Sequence, residues 1–206
     1  MAADRSSLQS DLATYYDQDA ATRAARTLDP ARVEWRAGFA QLLAAEGRRS
    51  LLEIGVGPGH DARAFSDAGV TVTGVDLSPQ HVRVCRERGI EAYVASVLNL
   101  PFADHSFAAG WTMSTLLHVP DADIDAALAE VARVLQPGAP LATGLWGGLD
   151  WEGTSDEDDT EPRFFSLRTD ERLRDIVGRH GSVERFDTWA GHGTSWTYQA
   201  LVLRLL

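Results

Sequence analysis

The chain has 206 residues, 44% of them hydrophobic, which is enough for one domain with a sizeable core. Its formal net charge is −11, and its 19 cations are all scattered arginines, so a nucleic-acid partner, which needs clustered positive charge, is not expected. No apolar run approaches the roughly 20 residues of a membrane span. The first residues also lack the apolar stretch of a secretory leader. A single cysteine, Cys85, excludes an internal disulfide and reads as a small buried hydrophobe. A cytoplasmic protein is therefore expected, and the Ala-rich, lysine-free usage points to a GC-rich bacterial genome.

Residues 1–28 read as a helical arm carrying Tyr15 and Tyr16. Asp29 before Pro30 is a helix cap with proline in the first turn, and the helix it opens directs Val33, Phe39, Leu42 and Leu43 to the core. Residues 50–54 make the first strand. The helix after it stops at Gly69, and residues 70–75 make a β-branched second strand. Ser78-Pro79 opens another helix by the same cap-and-proline device, ending at Gly89.

Further strands are expected at 91–96, 108–112 and 141–146, with a turn-rich connector at 100–107. Ile124, Leu128, Val131 and Leu135 recur at helical spacing between the fourth and fifth strands. Five strands alternating with helices make an α/β protein with a parallel sheet and right-handed crossovers. Positions 150–161 hold seven acids in twelve residues, which reads as a solvated loop. Thr169-Asp170-Glu171 caps a late helix carrying Leu173, Ile176 and Val177. Residues 195–206 alternate as a final strand, with 183–189 as its hairpin partner.

The most informative stretch is Leu-Leu-Glu-Ile-Gly-Val-Gly-Pro-Gly-His over 51–60, followed by Val75-Asp76-Leu77. An apolar run, a glycine loop, a helix and a second apolar run ending on an acid form a nucleoside-binding unit. Gly55, Gly57 and Gly59 let the backbone turn sharply near a ligand. Asp76 can take both hydroxyls of a ribose. A dinucleotide fingerprint would need its third glycine at position 60, which is His60. Glu53, two residues before the first glycine, suits a ligand that brings an amino group. No Lys-Ser/Thr pair follows the loop, so a P-loop reading fails.

With Leu135-Gln136-Pro137-Gly138 added, the chain resembles the class I S-adenosylmethionine-dependent methyltransferases, in particular the small bacterial type 11 and type 25 domains. The resemblance runs from about Tyr15 to the C-terminus. It is carried by 53–59, by 75–78, by Leu100-Pro101-Phe102 with Ser106-Phe107, by Leu116-Leu117-His118-Val119 and by 163–169. It implies a Rossmann-like, mostly parallel seven-stranded sheet with an antiparallel last strand and helices on both faces. It implies a methyltransferase domain over 29–206, with residues 1–28 as an arm or lid.

The resemblance further implies S-adenosyl-L-methionine as cofactor and a small-molecule methyl acceptor. Gly55, Gly57 and Gly59 would bracket the methionine part and Glu53 would hold its amino end. Asp76 would take the ribose, Leu77 the adenine face and Val97 an adenine nitrogen through its backbone amide. Thr112 would close the pocket and Tyr16 would cover it. Ser96 stands where relatives usually carry an adenine-binding Asp, and it accepts without charge assistance. Ala108 is a second departure.

His118, just past the fourth strand, is the candidate general base for an acceptor that arrives protonated. His60 reads as a helix cap. His81, His105, His180 and His192 show no metal-ligand spacing, so no metal is expected. Trp111, Trp146, Trp151, Trp189 and Trp196 fall late in the chain; most read as core, and two or three as the lining of an apolar acceptor pocket. Two rival functions stay open: a module that binds the cofactor without catalysis, motivated by Ser96 and Ala108, and an NAD-dependent oxidoreductase.

Overall fold

The computed structural model describes residues 5–155, 162–190 and 195–206. The elements run α1 (Arg5–Ala25), α2 (Pro30–Ala45), β1 (Ser50–Ile54), α3 (His60–Asp67), β2 (Thr71–Asp76), α4 (Pro79–Glu87) and β3 (Glu91–Val94). After them come β4 (Ala109–Met113), a short 3-10 turn (Leu116–His118), α5 (Ile124–Val134), β5 (Pro140–Gly147) and β6 (Trp151–Ser155). The chain finishes with β7 (Arg163–Leu167), α6 (Asp170–Val177), β8 (Gly181–Ala190) and β9 (Thr197–Leu205). His192 and most of the acidic run, 156–161, lie outside the described residues.

The strands order as β3-β2-β1-β4-β5-β9-β8 in one seven-stranded sheet. The first five are mutually parallel, and β9 runs antiparallel to both β5 and β8. This is the Rossmann-like, mostly parallel sheet expected, with its last strand reversed. A parallel sheet must be covered on both faces because its crossover helices lie there. One face packs Trp35 and Phe39 of α2, Phe65 of α3 and Val82 of α4 against Trp111. The other packs Leu128 and Val131 of α5 with Leu173 and Val177 of α6 against Leu201 and Leu203.

The expected caps hold the helix starts. Asp29 accepts from the Ala31 amide, Ser78 from His81 and Thr169 from Arg172. In α2 the buried face is Trp35, Phe39 and Leu43, while Val33 is exposed. Positions 35, 39 and 43 recur every four residues and share a face, whereas 33 lies roughly 200° from 35.

The acidic stretch is a second correction. Its first five residues past Asp150 form β6, which pairs antiparallel with β7 in a separate two-stranded sheet. Its acids are also used. Glu152 accepts from the Asp121 amide and the Ser166 hydroxyl, and Asp150 accepts from the Thr169 amide. Arg168, fully buried, ties this sheet to the turn after β4 by donating to Asp121, to the Ser166 carbonyl and to the Val119 carbonyl.

Candidate functional site

The carboxyl ends of the parallel strands open into a cavity of about 670 Å³, roofed by α1. Leucines and a tyrosine spaced by four along α1, Leu8, Leu12 and Tyr16, face it. Polar contacts latch the helix at several points. Arg5 pairs with Asp123, Gln9 donates to the Ser96 hydroxyl, and Asp17 accepts from the Ser78 hydroxyl and the Gln80 amide at the start of α4.

The glycine loop turns from β1 into α3 beneath this roof. Gly55 has φ +73°, and a Cβ there would sit 1.9 Å from the Thr115 hydroxyl, so the loop and the segment after β4 touch only because the side chain is absent. Gly57 has φ +53° and faces open space, while its amide donates to Asp76 at 2.8 Å. Gly59 is not on the cavity wall. It begins α3, and a Cβ there would strike Ile90 and Cys85. His60 does not cap the helix. Its Nε2 bonds the Arg23 carbonyl at 3.1 Å and pins the end of α1 to the loop. Cys85 is a packing residue, with burial as the largest influence lifting its thiol to about 12.

Glu53 lies on the wall, 2% exposed, and its Oε2 has no hydrogen-bond partner among the described residues. Burial, then the nearby Asp61 charge, pushes this carboxyl well above the ordinary range, against the pull of Arg32. Asp76 ends the neighbouring strand. Its two oxygens accept from the Gly57 and Ser78 amides at 2.8 and 2.9 Å, which leaves a lone pair on each for further donors. His81, 2% exposed, also lines the cavity beside Asp76, with neither ring nitrogen hydrogen-bonded among the described residues.

Leu77, Ser96 and Val97 continue the same wall. The Ser96 hydroxyl accepts from Gln9 and from the Leu98 amide. Among the described residues the Val97 amide donates to no protein group. Thr112 is not on the wall. It lies within β4, fully buried and with its hydroxyl unpartnered among the described residues, and Met113, Ser114 and Thr115 line the cavity instead.

His118 and Tyr16 meet in the cavity. The His118 Nδ1 lies 2.7 Å from the Phe164 carbonyl, which only accepts, so Nδ1 carries the proton of the neutral ring. Nε2 therefore accepts, from the Tyr16 hydroxyl at 2.6 Å. Burial holds the Tyr16 phenol above its usual range, against the pull of Arg23 and Arg163, so it stays a donor at neutral pH.

Sequence reasoning missed a second buried acid. Asp61, 1% exposed, accepts from Arg32, Arg36 and the Trp111 indole. Burial works to raise its pKa, but the attraction of Arg32 and the bonds from all three donors outweigh it and hold the carboxyl below the ordinary range. Arginines at i and i+4 on α2 were the available signal. His81 and Asp17 were missed as well, since nothing local marks either.

Residues 51–138 match the model of a family described as a methyltransferase domain. This stretch spans the glycine loop, Asp76, Ser96, Val97 and His118. Over those residues the chain is similar to a methyltransferase domain. It is 37% identical over 147 residues to the methyltransferase GfsG of Streptomyces halstedii, covering 66% of this chain and 51% of that protein. It is 32% identical over 139 residues to 27-O-demethylrifamycin SV methyltransferase of Amycolatopsis mediterranei, covering 63% and 48%. The chain thus spans about half the length of the curated relatives it matches. The chain also shares the fold of 1,6-didemethyltoxoflavin-N1-methyltransferase from Burkholderia thailandensis, with a TM-score of 0.73 at 20% identity over 100% of this chain and 91% of that one.

Proposed function

We propose that the chain transfers a methyl group from S-adenosyl-L-methionine to a small-molecule acceptor. One observation carries the reading: a buried carboxyl with an orphaned oxygen, Glu53, stands on the cavity wall one strand from the half-used carboxylate of Asp76. The first suits an ammonium and the second a pair of hydroxyls, with the open Gly57 between them. The free Val97 amide and the Ser96 hydroxyl would serve the base, Leu77 its face, and Tyr16 the roof. Gly55 and Gly59 hold the loop's shape, and Thr112 supports the wall from behind. The acceptors in the relatives' names, a demethylrifamycin and a didemethyltoxoflavin, are small organic molecules, and we assign this chain the same class.

Bound at these residues, S-adenosylmethionine would supply an electrophilic methyl carbon. The chain's part is to align the acceptor, exclude water and take a proton when the nucleophile arrives protonated. His118 with Tyr16 suits the last task. A proton leaving the acceptor reaches the Tyr16 oxygen while Tyr16 passes its own to Nε2, and Nδ1–H stays on the Phe164 carbonyl. We place the arm at residues 1–28 and the domain at 29–206, since α1 roofs the cavity without joining the sheet. Among the described residues no helix is long and apolar enough to cross a membrane. A cytoplasmic, bacterial protein with no nucleic-acid partner fits the composition.

Calorimetric titration with S-adenosylmethionine, S-adenosylhomocysteine and NAD tests the reading. The adenosyl ligands should bind and NAD should not; NAD binding alone would sink it.

A further inference from the structure

The cavity is wider than the stretch from Asp76 to Glu53 requires. Beyond β1 its wall continues across β4, β5, β9 and β8 through Met113, Trp146, Tyr198 and Trp189. Three strand spacings separate β1 from β9, roughly 14 Å across the sheet. The aromatic rings form one group. Trp189 stacks on Tyr198 at 4.8 Å and 28°, and Trp146 meets Tyr198 edge-on at 4.8 Å. Trp146 and Trp189 are only half-buried, so each keeps ring surface free.

The linker after α1, residues 26–29, lines the same cavity, and Pro30 and Arg32 at the start of α2 continue it. Arg26 on that linker lines the cavity. Three of the cavity's other arginines already face carboxylates, Arg5 with Asp123, Arg23 with Asp19 and Arg32 with Asp61. Arg26 makes no ion pair or side-chain hydrogen bond among the described residues.

Aromatic faces and an uncommitted guanidinium lining one cavity suit a flat conjugated ring bearing an anionic group. We propose that this end of the cavity is the acceptor subsite, and that the methyl acceptor is a planar aromatic anion, its ring on Trp146 and Trp189 and its carboxylate or phenolate on Arg26. The assignment rests on the methyltransferase reading, in which the cofactor occupies the Asp76–Glu53 side.

The test is titration of 1-hydroxy-2-naphthoate into the protein saturated with S-adenosylhomocysteine, read by calorimetry and by quenching of tryptophan emission. The naphthoate should bind without displacing the homocysteine. Arg26→Gln should weaken it by roughly tenfold, leaving neutral 2-naphthol and S-adenosylhomocysteine unaffected. Trp189→Leu should weaken both naphthalene probes. Three results would overturn the proposal: no naphthoate binding, displacement of the homocysteine, or a loss in Arg26→Gln that falls on the homocysteine. Equal losses for naphthoate and naphthol would remove the anion from it. If S-adenosylhomocysteine itself fails to bind, the methyltransferase reading falls, and naphthoate titrated into the free protein still decides the subsite.

Discussion

Glu53 and Asp61 flank the same glycine loop, are 2% and 1% exposed, and are treated in opposite ways. Asp61 receives two arginines and an indole N–H, and is held ionised. Glu53 has an oxygen without a donor, and is pushed toward its neutral form. A buried carboxylate with every need met is part of the framework. One left unmet carries a standing cost, and a ligand bearing positive charge removes that cost.

The two acids also give opposite pH dependences. The Asp61 pKa is depressed in the folded state, so its contribution is present above the ordinary carboxyl range and is lost as pH falls through the folded value. The Glu53 pKa is raised, so its contribution is present at low pH and is lost as pH rises through the folded value.

Four substitutions break or sharpen this contrast. Asp61→Ala has the largest effect. It strands Arg32 and Arg36, which keep some solvent contact, so the loss should sit at the low end for a broken buried pair, about 3 kcal/mol. Thermal unfolding should then fall by roughly 6–12 °C. An unchanged Tm would mean that the network is not structural.

Asp76→Ala follows. Loss of a charge-assisted bond of about 1.5–3 kcal/mol should weaken S-adenosylhomocysteine binding ten- to a hundredfold, and an unchanged dissociation constant removes Asp76 from the site. Glu53→Gln should weaken the same ligand by about tenfold while leaving Tm unchanged or higher; a Tm drop matching that of Asp61→Ala would erase the distinction. Ser96→Asp is the smallest. Ser96 already accepts from Gln9, so the added charge should tighten adenosine binding by only a few-fold, and no gain would mean that another group serves the base.

Much of the fold was legible because its punctuation is local. Asp29-Pro30, Ser78-Pro79 and the stops at Gly69 and Gly89 mark helix ends by residue type alone. The β6–β7 pair was not legible, because its strand character comes from pairing with residues 163–167 and from donors such as Ser166. Thr112 shows how little slack a strand allows. Side chains alternate between faces, so neighbours on β4 point to opposite sides, and of Thr112 and Met113 it is Met113 that meets the cavity. The Tyr16–His118 bond joins residues 102 positions apart, and no periodicity announces such a meeting.

The central claim is that Glu53 is kept unsatisfied for a ligand ammonium. An ammonium at Glu53 favours the carboxylate, so binding should expel a proton, and affinity should rise with pH through the raised pKa. Calorimetry of S-adenosylhomocysteine binding in two buffers of different ionisation enthalpy counts that proton directly. Proton release is expected in the native protein and none in Glu53→Gln. Equal proton exchange in both would contradict it.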